Sequence, residues 1–134
     1  MFKHTVKYTD FNGNTREQEV AFNLSAMELI SLQRDTPGGY AELLTNVANS
    51  GDGLKMWGVF EDLVKRAYGE RSDDGTKFIK VAPDGHKLVD DFVQSAAYEA
   101  FMVNLITDAE LGANFINQLI PQETIDKVKL ALGE

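Results

Sequence analysis

The sequence predicts an α+β protein, mainly α, in which an N-terminal antiparallel β-hairpin precedes a bundle of about five to six short helices. Two observations predict this class. Apolar and polar residues alternate in two runs before residue 24, whereas later apolar residues recur at three- and four-residue steps. The length of 134 residues suits one domain, so we expect a single domain over residues 1–134, with the hairpin in residues 1–24 and helices in residues 25–134.

Side-chain alternation on both sides of a turn predicts the hairpin. One face of the first run carries Phe2, His4, Val6 and Tyr8, and one face of the second run carries Val20, Phe22 and Leu24. Between the runs, Asn12-Gly13 tolerates the positive φ that a tight hairpin turn requires. A hairpin alone is marginally stable in water, so we expect its apolar face to lie against helices or a partner.

Capping and breaking residues predict the first two helices. Ser25 and Glu28 form a capping box, which indicates a short helix over residues 26–34. Pro37 and two following glycines interrupt it, and a second helix is predicted over residues 40–48.

The third helix, predicted over residues 54–68, has the clearest pattern. A single apolar stripe contains Leu54, Trp57, Phe60, Val64 and Ala67. Lys65 and Arg66 suit the negative end of the helix dipole, and Gly69 is predicted to close the helix in the left-handed conformation.

Further helices are predicted after a charged turn, a short Phe78-Ile79 segment and a turn at residues 83–85. Helical spacing runs over residues 88–106, with Ser95 as a candidate divider. Thr107 and Glu110 form a second predicted capping box, which begins another helix, and Pro121 ends that helix. The spacing of Ile125, Val128 and Leu132 indicates a final amphipathic helix.

Composition excludes several classes of partner. The chain carries 21 acidic and 13 basic residues, a net charge of −8, which disfavours binding to nucleic acid and to anionic membranes. It has no cysteine, which fits a reducing compartment. The N-terminus alternates and does not resemble a signal peptide, so we expect a cytoplasmic protein.

The residues that could carry chemistry favour ordinary structural roles. His4 falls on the apolar face of the first strand, and His86 falls in a turn, where we expect it to be solvated. Asp73-Asp74-Gly75 lacks the alternating oxygen ligands of a calcium loop and indicates a polar turn. We therefore expect no catalytic residue, no metal site and no cofactor, and a protein that is not an enzyme.

Five apolar residues are candidates for contact with a partner. Trp57, Tyr68 and Phe78 are aromatic residues of the kind that anchor interfaces, although Trp57 lies on the predicted core stripe. Ile125 and Val128 lie on the final helix, which either docks into a groove of a partner or caps the bundle; of the two, we favour capping.

The order of these features resembles a known family. The segment from Met56-Trp57 through Tyr68-Gly69 to Phe78-Ile79-Lys80 is followed by Phe92 to Phe101, Asn104 to Asp108, Ala113 to Ile116 and Ile120-Pro121. Over roughly residues 54–121 the chain is similar to the tail assembly chaperones of long-tailed, siphovirus-type bacteriophages.

The resemblance implies a non-enzymatic role in the host cytoplasm. Members bind the tape measure protein, keep it soluble, help recruit tail tube subunits and are absent from the mature virion. A longer form made by ribosomal frameshifting commonly contacts the tail tube protein, and self-association is left open. Two alternatives stay open: an acidic inhibitor or nucleic-acid mimic that binds a basic host protein, suggested by the net charge, and a small enzyme with an unrecognised site.

Overall fold

The computed structural model describes residues 1–133, in which two strands at the N-terminus are followed by helices and two further short strands. The elements in chain order are β1 (Phe2–Thr9), β2 (Thr15–Phe22), α1 (Ala26–Asp35), α2 (Tyr40–Ser50), α3 (Gly53–Ala67), β3 (Tyr68–Arg71), β4 (Phe78–Ile79), α4 (Leu88–Phe92), α5 (Ala96–Thr107), α6 (Ala109–Leu119) and α7 (Gln122–Ala131). The predicted class, α+β and mainly α, is confirmed, and the five-residue α4 is a single turn beside six longer helices.

The sheet is larger than the predicted hairpin. All four strands pair antiparallel in the order β1-β2-β3-β4. The expectation that β-structure is confined to residues 1–24 is therefore wrong. Because β3 has four residues and β4 has two, neither is long enough to show the alternation that identifies a strand.

The hairpin itself forms as predicted. Its register runs from Phe2 opposite Phe22 to Thr9 opposite Thr15. In the connecting loop, Gly13 has φ 85°, and the Asp10 carboxylate accepts hydrogen bonds from the backbone N–H groups of Asn12 and Asn14. The loop therefore relies on a side chain of its own as well as on glycine.

Aromatic rings join the sheet to the helices that cover it. Phe22 stacks on Phe101 of α5 with ring centroids 5.0 Å apart, and meets Phe115 of α6 edge-on at 5.3 Å. Phe2 lies edge-on to Phe115 at 5.2 Å. Helices α5 and α6 thus provide the cover that the apolar face of the hairpin requires. His4 belongs to the same cluster, because its ring stacks on Phe2 at 6.1 Å and lies tilted to Phe101 at 5.8 Å.

Two local predictions at helix ends are wrong. Gly69 does not close α3, since Tyr68 already has extended backbone (φ −62°, ψ 137°) and Gly69 lies in β3. Asp108, rather than Thr107, caps α6, because Asp108 is the first residue beyond α5 and its carboxylate accepts from the N–H groups of Glu110 and Leu111. The capping box of Ser25 and Glu28 is confirmed.

The apolar stripe of α3 is only partly buried. Phe60, Val64 and Ala67 are buried as predicted, but Leu54 is 86% exposed and Trp57 is 37% exposed. Spacing along a helix identifies its apolar face but does not determine how far along the helix neighbouring elements cover that face. Three further predicted breaks between helices agree with the structure. Ser95 caps α5 after the short α4, and the chain turns at Gly85 and at Pro121.

Candidate partner-binding surface

The five predicted contact residues lie in three separate regions. Trp57 lies on α3, Tyr68 and Phe78 lie on the neighbouring strands β3 and β4, and Ile125 and Val128 lie on α7. Trp57 is the most exposed, Phe78 and Ile125 are half-buried, and Tyr68 and Val128 are buried. The fold does not bring these five residues together into one site.

Tyr68 is part of the aromatic core. Its ring stacks on Phe92 with centroids 4.1 Å apart and planes 4° apart. Burial raises the pKa of its hydroxyl, with further contributions from the carboxylates of Glu70 and Asp91. Its neighbour Phe78 lies under Gly69 and beside the Lys80 ammonium, 5.9 Å from the ring centroid.

Helix α7 packs back onto the bundle through the two residues predicted for it. Ile125 and Val128 line a small cavity of 20 Å³ together with side chains of α1 and α2, among them Leu29 and Tyr40. This is the capping arrangement that the sequence favours. Leu130, on another face of α7, is 81% exposed.

Exposed apolar side chains are spread over several elements. They occur in the hairpin loop, on five of the helices, in the segment after β4 and just after α7: Phe11, Met27, Leu43, Leu54, Trp57, Val81, Val103, Ile106, Leu130 and Leu132, beside the N-terminal Met1. Single exposed apolar residues are common on soluble proteins, so a binding site has to be identified from their surroundings.

A groove between α1 and the chain that follows β4 combines such residues with a formed concave surface. It has a volume of 570 Å³, and we call it the α1–β4 groove. Its apolar lining consists of Leu24, Met27, Leu32, Tyr68, Val81 and Val89. Met27 and Val81 are 72% and 52% exposed and are accessible to a partner, whereas Leu24, Leu32 and Tyr68 form the buried base of the groove.

The charged residues of the α1–β4 groove are mostly basic. Lys65, Arg66, Lys80 and Lys87 line it, against the acidic Glu28 and Asp35. Partial burial raises the pKa of Glu28, but hydrogen bonds from Lys80 and from the backbone N–H of Ser25 outweigh it and leave that pKa below its ordinary value. Glu28 is therefore ionised at neutral pH and holds Lys80 at 2.7 Å.

Sequence reasoning did not identify this groove, because its lining comes from residues 24–36, 65–68 and 80–89. Two local signals exist. Lys80 stands between the apolar residues Ile79 and Val81, and Met27 lies inside the capping box, between Ser25 and Glu28, without taking part in its hydrogen bonds.

A second, shallower groove of 440 Å³ lies between α2 and α3. Leu43, Val47 and Val59 supply its apolar surface, and Lys55 and Asp62 stand at its edge. Tyr40 also lines it; burial and the nearby Asp62 carboxylate raise the pKa of the Tyr40 hydroxyl.

His86 is exposed, as predicted, and its imidazole also contacts two carboxylates. Its Nδ1 pairs with Asp84, and its Nε2 lies 2.9 Å from Asp91 Oδ2. These two hydrogen bonds raise the pKa of the imidazole. The contacts link the turn at Asp84 to α4, which gives His86 a structural role.

The polar turn predicted at Asp73-Asp74 connects β3 and β4. Asp74 accepts hydrogen bonds from the backbone N–H and hydroxyl of Thr76 and from the Ser72 hydroxyl, which lowers its pKa to about 2. Within residues 1–133, no three His, Asp or Glu side chains are placed to share a metal ion. None of the helices in that range is both long enough and apolar enough to cross a bilayer.

Comparison with known proteins adds one finding. The family model described as phage tail assembly chaperone matches residues 1–131. Searches of curated proteins and of solved structures returned no match. Since the family match spans nearly the whole chain, including the hairpin and α7, this protein belongs to the phage tail assembly chaperone family.

Proposed function

We propose that this chain is a non-enzymatic chaperone that binds the tape measure protein of its phage and keeps it in solution in the host cytoplasm. It then helps recruit tail tube subunits around that protein and is absent from the mature virion. The observation that carries the proposal is the family match over residues 1–131.

The surface of the chain suits this role. A long apolar client needs reversible contacts, and the exposed apolar side chains on the helices can supply them. They stand among charged residues in a chain of net charge −8, which limits association between copies of the chaperone and helps keep a complex soluble.

The same surface gives less support to a nucleic-acid mimic. Such a mimic presents rows of carboxylates, whereas acidic and basic residues here alternate at one-turn spacing. Glu61 pairs with Lys65, Asp62 with Arg66 and Glu123 with Lys127, each at i, i+4. The carboxylates on these helices are thus interrupted by cations.

Among the predicted contact residues, we propose Trp57 as a direct contact and Phe78 and Ile125 as partial ones, according to their exposure. We propose that Tyr68 and Val128 support binding by keeping β3 and α7 in place, since both are buried. We further propose that a frameshifted longer form contacts the tail tube protein. Mass spectrometry of infected cells for peptides beyond residue 134 tests that form.

Co-expression with the tape measure protein tests the main proposal. We expect the tape measure protein to move from the insoluble to the soluble fraction and to co-purify with the chaperone at micromolar concentration. An unrelated acidic protein of similar size is the control. A tape measure protein that stays insoluble with both proteins would contradict the proposal.

A further inference from the structure

We propose that the α1–β4 groove is a client-binding site and that it takes an amphipathic helix of the client, with its apolar face on Met27 and Val81 and its carboxylates toward Lys65 and Lys87. This inference rests on the proposed function and adds this groove to the separate contacts proposed for Trp57, Phe78 and Ile125.

The apolar part of the groove suits a helix. Met27 comes from α1 and Val81 from the segment after β4, so two separate elements contribute exposed apolar side chains to the same concave surface. Methionine is unbranched and adapts to differently shaped partners, as a site for successive segments of a long client requires. Apolar residues spaced by three or four positions on a client helix would fill the groove.

The charge of the groove specifies the kind of helix. The groove contains four of the thirteen basic residues of the chain but only two of its 21 acidic ones. A chain of net charge −8 thus presents a local excess of positive charge here. A partner whose carboxylates flank its apolar face is attracted to this surface and repelled by the acidic remainder.

Two of the four cations are available to a partner. Lys80 is held by Glu28 and by the Arg66 carbonyl oxygen at 2.9 Å, and Arg66 itself pairs with Asp62. Lys65 is half-exposed and lies 3.9 Å from Glu61, a pair that contributes little and can exchange at small cost. Lys87 has no acidic partner within 4 Å among residues 1–133.

The groove is also held in shape before any partner arrives. Glu28 receives Lys80 on one oxygen and the Ser25 N–H on the other, so the start of α1 and the end of β4 are fixed to each other. Preorganisation of this kind reduces the ordering cost of binding.

Charge reversal tests the proposal. We expect Lys65→Glu combined with Lys87→Glu to weaken binding of the tape measure protein at least tenfold. The matched control is Lys55→Glu combined with Lys127→Glu, which changes the net charge equally outside the α1–β4 groove and is expected to bind like the wild type. Circular dichroism melts confirm that both variants fold.

The outcomes separate this inference from the proposed function. The inference is overturned, while the proposed function stands, if the wild type and both variants bind the client equally. The same holds if only the control, which alters Lys55 beside the α2–α3 groove, loses binding. No binding by the wild type overturns both. Inorganic phosphate provides a third outcome. If phosphate raises the melting temperature of the wild type but not of the groove variant, and that variant still binds the client, the groove is a small-anion site and the inference is overturned.

Crosslinking provides a second, independent readout. The chain has no cysteine, so Val81→Cys creates a single attachment point for a photoreactive group. We expect client crosslinks at residues three or four positions apart, as on one face of a helix. Crosslinks at alternate residues indicate an extended client, and equal crosslinking from a Val103→Cys control, at a position of similar exposure on α5, shows no preference for the groove; either result contradicts the proposal.

Discussion

Lys80 Nζ lies 2.7 Å from Glu28 Oε2, which joins residues 52 positions apart in the chain. Glu28 is the third residue of α1 and part of its capping box, while Lys80 immediately follows β4. One carboxylate therefore completes the helix cap and ties the helix to the sheet. This double use indicates that the two residues are energetically coupled.

A double-mutant cycle measures that coupling. Glu28→Gln keeps a side chain able to cap α1 but removes the charge, and Lys80→Met keeps most of the apolar stem. We expect a coupling free energy of about 1 kcal/mol in urea unfolding, because the lysine side chain is only 22% exposed. The same cycle on the exposed pair Glu123 and Lys127 is expected to give about 0.3 kcal/mol. Equal couplings would show that burial adds nothing to the first pair.

Gly69 is predicted to tolerate no side chain. A Cβ there would lie 2.5 Å from the Ile79 carbonyl oxygen and 2.6 Å from Phe78 Cε1, so β3 and β4 would have to separate. We expect Gly69→Ala to lower the free energy of unfolding by about 2 kcal/mol.

Gly58→Ala is the matched control for this substitution. A Cβ at Gly58, inside α3, meets nothing within 4 Å, and alanine favours helix over glycine. We expect it to stabilise the protein by about 0.5–1 kcal/mol. Chemical denaturation of both variants checks the pair, and destabilisation of similar size at the two positions would argue against the β3–β4 contact.

The His86 contacts predict a pH dependence. The pKa of His86 is raised in the folded protein by Asp84 and Asp91, so folding is favoured by the protonated form. The stabilisation that protonated His86 contributes is complete below the pKa of about 6.5 that histidine has in the unfolded chain. It is lost as the pH rises through the higher pKa of His86 in the folded protein. We expect the difference in unfolding free energy between wild type and His86→Gln to shrink between pH 5.5 and 8.5. A difference that stays constant over this range would show that the ion pairs do not contribute.

The outer edge of β1 is predicted to be protected by its lysines. The Asp10 N–H donates a hydrogen bond across the loop to the Asn14 carbonyl oxygen. In an antiparallel pair, the backbone N–H and C=O groups of every second residue face the partner strand. Counting back from Asp10, the backbone groups of Lys3, Thr5 and Lys7 therefore point away from β2. Lysine at such an edge discourages pairing with another chain.

Replacing both edge lysines tests this protection. We expect Lys3→Thr with Lys7→Thr to self-associate at concentrations where the wild type does not, as measured by sedimentation velocity. Lys55→Thr with Lys127→Thr changes the net charge equally away from the edge and is expected to sediment like the wild type. Identical sedimentation of all three proteins would mean that the edge is protected in another way.

Features with a local cause could be predicted from the sequence. Alternation over eight residues is sufficient to identify β1, and the reciprocal bonds of Ser25 and Glu28 depend only on residues three apart. An isolated hairpin is marginally stable, which predicts that helices or a partner cover its apolar face, and α5 and α6 provide that cover. Local patterns of this kind carry their own physical explanation.

Features that depend on distant neighbours could not be predicted. Strand β3 pairs with Ala21 and Phe22 at the edge of β2, and β4 pairs in turn with β3, which nothing in residues 68–79 indicates. Trp57 follows the spacing of a core residue, yet its end of α3 extends past the buried part of the stripe. The α1–β4 groove gathers residues from three parts of the chain, so none of them identifies it alone.

The contact between Phe2 and Phe115 has a consequence for biosynthesis. Phe2 is packed against Phe115, which is translated 113 residues later, so the nascent hairpin emerges from the ribosome with Phe2, Val6 and Phe22 uncovered. Its apolar face cannot be sheltered until α5 and α6 have been translated. This chaperone therefore passes through a vulnerable stage of its own during translation, and ribosome stalling before residue 96 would leave a chain prone to aggregate.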